Sequence, residues 1–203
     1  MLHPWHDLPT GTHPPDVVTA VIEIPRGSRN KYELDKESGC FKLDRVLYSA
    51  VHYPGDYGLI PRTLHEDGDP LDVLVRINEP TFTGCLIDVR PIGILRMSDR
   101  GEPDDKIVAV PVNSPHHEEH YDIADMPQHY LTEIEHFFHI YKDLEGKRCE
   151  VVGWGKSEEA MRVITESMER YETKKADSGF GSGYVTSKSD SDIGLRYRNP
   201  ESE

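Results

Sequence analysis

Three aspartates are packed into Glu66-Asp67-Gly68-Asp69-Pro70-Leu71-Asp72, directly ahead of an apolar stretch, Val73-Leu74-Val75. Two like charges about 4 Å apart repel by roughly 1 kcal/mol in water and about 4 kcal/mol at an effective dielectric near 20. Carboxylates this crowded need protons, solvent or a bound cation. Ligands that are all oxygen suit Mg²⁺, Mn²⁺ or Ca²⁺ rather than zinc. On extended backbone Asp67 and Asp69 would share a face, while Gly68 and Pro70 supply a turn that brings Asp72 back at the head of the next strand. An EF-hand frame needs Gly at its sixth position and Glu at its twelfth, where this chain has Asp72 and Asn78, so that reading fails.

A second acidic group, Asp99, Glu102, Asp104 and Asp105, precedes Lys106. If both groups close over one site, they form a larger oxygen-rich cluster. The complement that a phosphate would require is also present: Lys31 and Glu33 alternate around Tyr32, Arg45 follows Asp44, Tyr53 and Tyr57 flank Pro54-Gly55-Asp56, and Tyr141 precedes Lys142. Lysine binds phosphate as a point charge, arginine can hold two oxygens at once, and tyrosine donates one hydrogen bond. Other motifs carry less. His116-His117-Glu118-Glu119-His120 lacks the metalloprotease spacing, because Tyr121 stands where the second histidine belongs, and it reads as a solvated, pH-titrating loop. His136 and His139 read as half-buried helix residues. Gly179, Gly181 and Gly183 have neither a preceding strand nor a following helix, which a dinucleotide site needs.

The elements that must position these groups are mostly strands. Residues 17–24 are rich in β-branched types and closed by Pro25-Arg26-Gly27, and similar runs at 31–34, 41–48, 72–77, 86–97, 106–112 and 148–154 predict an antiparallel barrel. Two segments have helical periodicity. One is 127–144, with Pro127 at its first position and Tyr130, Ile134, Phe137, Phe138 and Tyr141 on one face; the other is 157–173, with Ser157 as N-cap. Residues 1–175 read as a single domain, α+β and mostly β. Residues 176–203, rich in Gly, Ser and Asp, read as a mobile tail.

Charge narrows the partners. Lys and Arg total 23 against 37 Asp and Glu, a net −14, which opposes non-specific binding to nucleic acid or an anionic membrane. An anionic ligand would therefore need its cations gathered locally. Cys40, Cys85 and Cys149 are odd in number and far apart, and read as reduced core thiols. With neither a leader-like N-terminus nor a long apolar run, the expectation is a soluble, cytoplasmic protein.

Asp67-Gly68-Asp69-Pro70-Leu71-Asp72-Val73 resembles the signature of the family I soluble inorganic pyrophosphatases, bacterial and archaeal type. Glu23-Ile24-Pro25, Lys31-Tyr32-Glu33, Asp44-Arg45, Tyr53 to Gly58, Asp99 to Lys106 and His136-Phe137-Phe138 through Tyr141-Lys142 follow in the family's order, over about residues 5–173. The resemblance implies an OB-like five-stranded barrel with two C-terminal helices, and Mg²⁺-dependent hydrolysis of pyrophosphate to two phosphates, with Mn²⁺ as a substitute. It implies Asp67, Asp72 and Asp104 as ligands of a first metal, Asp72 as a bridge to a second, and Asp99 with Asp104 for a further ion. Asp69 is implied as general base, Glu23 and Glu33 as supports through water, and Tyr53 as a supporting neighbour. Lys31, Arg45, Tyr57, Lys106, Tyr141 and Lys142 are implied to grip phosphate. It also implies a homo-oligomer, a hexamer. The readings that compete are a nucleic-acid-binding OB module, which the acidic charge opposes, and a two-metal nuclease or nucleotide phosphatase.

Overall fold

The computed structural model describes residues 2–178. Nine strands and two helices are present among the described residues: β1 (Val18–Ile24), β2 (Asn30–Leu34), β3 (Phe41–Val46), β4 (Asp56–Leu59), β5 (Asp72–Val75), β6 (Leu86–Asp99), β7 (Glu102–Pro103), β8 (Lys106–Pro111), α1 (Gln128–Ile140), β9 (Cys149–Lys156) and α2 (Ser157–Ser178). Strands pair in the order β1-β4-β5-β8-β6, and β1 pairs again with β6, so five strands close a barrel. That closure leaves no free edge within the ring. The expected OB-like barrel with two C-terminal helices is the observed fold. β7 and β9 extend from β6, and β2 with β3 forms a separate hairpin.

Alternation along the strands divides the core. Val18, Ala20 and Ile22 of β1, Val73 and Val75 of β5, and Ile107 and Ala109 of β8 pack with Ala160, Val163 and Ile164 of α2. Leu74, Leu95, Met97 and Tyr57 pack instead with Ile134, Phe137, Phe138 and Tyr141 at α1. Each helix thus presents one apolar stripe, and α1 lies on the side to which Asp72 points, since side chains two apart on a strand share a face.

Several expectations needed correction. β4 was not anticipated, because Pro54-Gly55 in front of a four-residue run containing Gly58 reads as a turn. Yet all of β4 is buried, and it lies so near β1 that a Cβ on Gly58 would stand 1.9 Å from the Val21 carbonyl oxygen. The barrel is not wholly antiparallel, since β5 and β8 run parallel. α1 starts after Pro127, which is its N-cap rather than its first residue, and stops at Ile140; a 3₁₀ turn at Asp143–Glu145 follows, closed by left-handed Gly146. Ser157 begins α2, and both its backbone N–H and its hydroxyl donate to Asp122 at 3.0 Å, so the cap is supplied from a distant loop. α2 continues through 178, past the expected domain end at 175; the rest of the expected tail lies outside the described residues.

Three smaller readings also change. Of the cysteines only Cys149 is buried, and none is joined in a disulfide. His136 and His139 are exposed. His117 is buried rather than solvated, its Nδ1 3.3 Å from Nδ1 of His120, and burial pushes it down to about 4. Among the described residues no helix is long and apolar enough to cross a membrane.

Candidate active site

The chain builds a cleft of about 580 Å³ at the α1 side of the barrel, and all fourteen residues singled out from the sequence line it. They arrive from many elements. Glu23 comes from β1, Lys31 and Glu33 from β2, Arg45 from β3, Tyr53 and Tyr57 from the entry to β4 and its strand, and Asp67, Asp69 and Asp72 from the β4–β5 turn and the start of β5. Asp99 ends β6, Asp104 and Lys106 flank the start of β8, and Tyr141 and Lys142 follow α1.

Register explains the centre. The parallel pairing sets Asp72 beside Lys106, whose Nζ lies 2.5 Å from Asp72 Oδ2 and also reaches Asp104. Lys106 is 2% exposed, and its two carboxylate partners keep it charged despite a burial that works against the ammonium. Across the β2–β3 hairpin Lys31 faces Arg45; Lys31 pairs with Glu33 and lies 3.5 Å from Asp44, and Arg45 Nε donates to Glu145 at 2.8 Å. Lys142 Nζ donates to Asp99 Oδ2 at 2.8 Å.

The acidic turn is made differently from the strand geometry expected of it. Asp67 and Asp69 lie in a turn, not on a strand; Gly68 takes φ +87, and the Asp69 N–H donates to Asp67 Oδ1 at 2.9 Å. Asp67 thereby organises the loop while keeping its other oxygen for the cleft. Asp69 stands at the rim, its side chain 51% exposed and ion-paired with Lys36, a partner that the sequence did not suggest.

Burial and mutual repulsion leave their mark on the carboxyls. Burial, with the charge of Asp72 added, pushes Glu23 up to about 8 and raises Asp67. Asp104 is also raised, by burial first and by Asp72 against the opposing pull of Lys106. Burial would raise Asp99 too, but the hydrogen bond and charge of Lys142 override it and hold Asp99 low. Tyr53, Tyr57 and Tyr141 are raised far enough by burial to remain neutral hydrogen-bond donors.

Two acidic residues of the sequence motifs do not join the centre. Asp105 is turned to the other side of the sheet, where it meets Arg96, and Asp44 is taken up by Lys31 and Arg45. Conversely, Lys36, Arg100 and Lys147 line the cleft without having been singled out, since isolated surface cations carry no spacing signal. Arg100 has φ +53 and Gly101 φ +87, the two left-handed residues of a tight hairpin between β6 and β7. Left-handed backbone costs a residue with a side chain about 1 kcal/mol. With these additions the lining carries seven of the chain's 23 cations and eight acids, so the cleft is close to charge balance in a protein of net charge −14.

As they stand, no three His, Cys, Asp or Glu side chains among the described residues are grouped as a metal site. The lysines account for this, because Lys106 lies between Asp72 and Asp104, and Lys142 holds Asp99. The donor set nevertheless fits a hard divalent cation: it is all oxygen, and the raised Asp67 and Asp104 are carboxyls that added positive charge would stabilise in ionised form.

A closed barrel that interleaves carboxylates, cations and neutral phenols in one cleft is suited to a polyanion, and the likeness to known proteins makes it a hydrolase. The family model for inorganic pyrophosphatase matches residues 20–172. The inorganic pyrophosphatase of Geobacillus stearothermophilus is 55% identical over 159 residues, covering 78% of this chain and 96% of that protein. That of Haloferax volcanii is 48% identical over 173 residues, covering 85% and 98%. The crystal structure of inorganic pyrophosphatase from Thermus thermophilus superposes with a TM-score of 0.81 at 44% identity, covering 83% of this chain and 99% of that one. The chain belongs to the inorganic pyrophosphatase family.

Proposed function

We propose that this enzyme hydrolyses inorganic pyrophosphate to two orthophosphates, with Mg²⁺ as its cofactor and Mn²⁺ as a substitute, and with Asp69 as general base. The observation that carries this reading is the pairing of Asp72 with Lys106 at the floor of a cleft whose walls alternate acid and cation. Family membership supports it independently.

Asp67, Asp72, Asp99 and Asp104 would hold the divalent ions, with Glu23 and Glu33 supporting them through water. Bound ions supply charge screening for the substrate and a water more acidic than bulk solvent. The chain's own groups do the rest. Lys31, Arg45, Lys106 and Lys142 bind phosphate oxygens, the two classes of cation giving a point contact and a two-oxygen fork. Tyr57 and Tyr141, held neutral by burial, donate hydrogen bonds and cannot repel the anion. Tyr53 packs at 5.4 Å from the Tyr57 ring and fixes its direction. Asp69, at the rim and open to solvent, would accept a proton at its carboxylate from the attacking water; a positioned base of this kind contributes about 10²- to 10⁴-fold.

Phosphate release from pyrophosphate by the purified protein, with and without Mg²⁺, tests the proposal. Turnover should need the metal and should be lost on chelation. No turnover at several millimolar Mg²⁺ would refute it, and faster release from ATP than from pyrophosphate would favour a nucleotide phosphatase instead. We further propose that the enzyme is cytoplasmic, in keeping with three cysteines and no disulfide, and that it is a homo-oligomer, a hexamer. A monomer in sedimentation would remove the last statement.

A further inference from the structure

Arg100 and Gly101 alone connect Asp99 of β6 to Glu102 of β7, and both take positive φ, +53 and +87. Two-residue turns of this hand take Asn-Gly or Gly-Gly most readily. Local folding therefore disfavours an arginine here. Its charge helps Lys142 hold Asp99 low, but through one long ion pair and no hydrogen bond. Asp99 already accepts Lys142 Nζ at 2.8 Å and the Cys149 thiol at 3.7 Å, whereas Arg100 Nε stays 3.8 Å from Asp99 Oδ1. Among the seven cations lining the cleft, Arg100 is the most exposed, with 70% of its side chain open; Lys106 and Lys142, at 2% and 11%, lie deep in it beside carboxylates. A guanidinium is thus held at the cleft mouth, on a strained turn, with its hydrogen-bonding fork uncommitted.

We propose that Arg100 is a substrate-binding residue, whose guanidinium receives pyrophosphate at the mouth and holds two oxygens of the outer phosphate while Lys106 and Lys142 take the inner end. The chemistry matches: arginine presents parallel N–H donors to a phosphate, and a rim cation raises the encounter rate of an anion with an otherwise acidic protein. The inference rests on the pyrophosphatase reading. It adds a residue to it at a position where glycine would satisfy the backbone better.

That last point makes the test clean. Arg100→Gly relieves the turn, so its melting temperature should equal or exceed that of the parent, and any functional loss is not a folding defect. We expect its KM for pyrophosphate to rise about fivefold to tenfold with kcat within about twofold, and the decline of kcat/KM with ionic strength to become shallower. Arg100→Lys should recover part of the affinity but not all, having a charge without a fork. Calorimetric titration of the Mg²⁺-loaded parent and Arg100→Gly proteins with inorganic phosphate gives a readout that does not need turnover, and the variant should bind several-fold more weakly. Parental KM, salt dependence and phosphate affinity in Arg100→Gly would overturn the proposal and leave Arg100 a turn residue. A parent that hydrolyses no pyrophosphate would instead sink the pyrophosphatase reading, and the phosphate titration would still decide whether Arg100 binds the anion.

Discussion

Asp104 and Asp105 leave the chain on opposite sides of the sheet and enter two different kinds of charged environment. Asp104 looks into the cleft, where burial and Asp72 raise it and the shared cation Lys106 pulls the other way. Asp105 looks away and is satisfied twice, accepting the Arg96 guanidinium and, at 3.2 Å, the Met97 N–H. Glu159 from the first turn of α2 completes that second cluster by binding Arg96 at 2.5 Å. Burial works against Arg96, yet its hydrogen bonds to Glu159 and Asp105 hold the guanidinium more firmly charged than usual. One cluster is closed, with each acid matched inside the protein. The other leaves Asp67, Asp104 and Glu23 displaced toward protonation by burial and by the charge of Asp72.

The sharpest way to break this contrast is Asp69→Asn. Turnover should fall by about 10²- to 10⁴-fold, while Mg²⁺ affinity stays within a few-fold and stability within about 0.5 kcal/mol, because the side chain is half exposed. Loss of metal binding on the same scale as turnover would make Asp69 a ligand and not a base. Next comes the closed cluster. Arg96→Ala strands Asp105, which is 6% exposed, and should cost about 2 kcal/mol or more in urea unfolding while kcat moves less than about twofold. A variant of parental stability with impaired turnover would erase the distinction between the two clusters.

A smaller effect concerns pH. Glu23 has a folded pKa of about 8 against an ordinary value of 4.5, so between those limits the metal-free folded protein keeps a proton that the unfolded chain has released. Stability should therefore decline as pH rises from about 4.5 to about 8 and level off above it. Glu23→Gln should remove that part of the slope, measured as urea midpoints across a pH series without metal. An unchanged slope would show that the crowding around Asp72 is relieved in some other way. His117, distant from the cleft and pushed down to about 4, works with the opposite sign: its contribution is present above about 6.5 and is lost as pH falls toward 4.

The site was more legible in the sequence than the framework that holds it. Asp67, Asp72, Asp104 and Lys106 were visible as residue types in two acidic runs and do meet in one cleft, while β-branched runs between turns indicated a barrel and the family resemblance its five strands. The direction of the β5–β8 pairing was not legible, because strand direction is set by which elements meet and leaves no local pattern. β4 was hidden because Gly58 looks like a turn residue; it is there so that β1 and β4 can touch. Lys36, Arg100 and Lys147 were missed since single surface cations acquire a role only through position. Arg100 did leave one trace: an Arg-Gly pair directly after Asp99, where a hairpin would take Asn-Gly.

The closure of β1 on β6, which sets Val18 opposite Val89, also dictates when the enzyme can first work. Pairings between strands so distant in the chain must overcome a large loop-closure entropy before their contacts form, and such topologies fold slowly. Asp72 and Lys106 come into register only across the parallel β5–β8 pair, one link of that same ring. During refolding, activity should therefore emerge with the final barrel signal and trail the helical signal of α1 and α2, so that a chain part-way to its native state is catalytically silent.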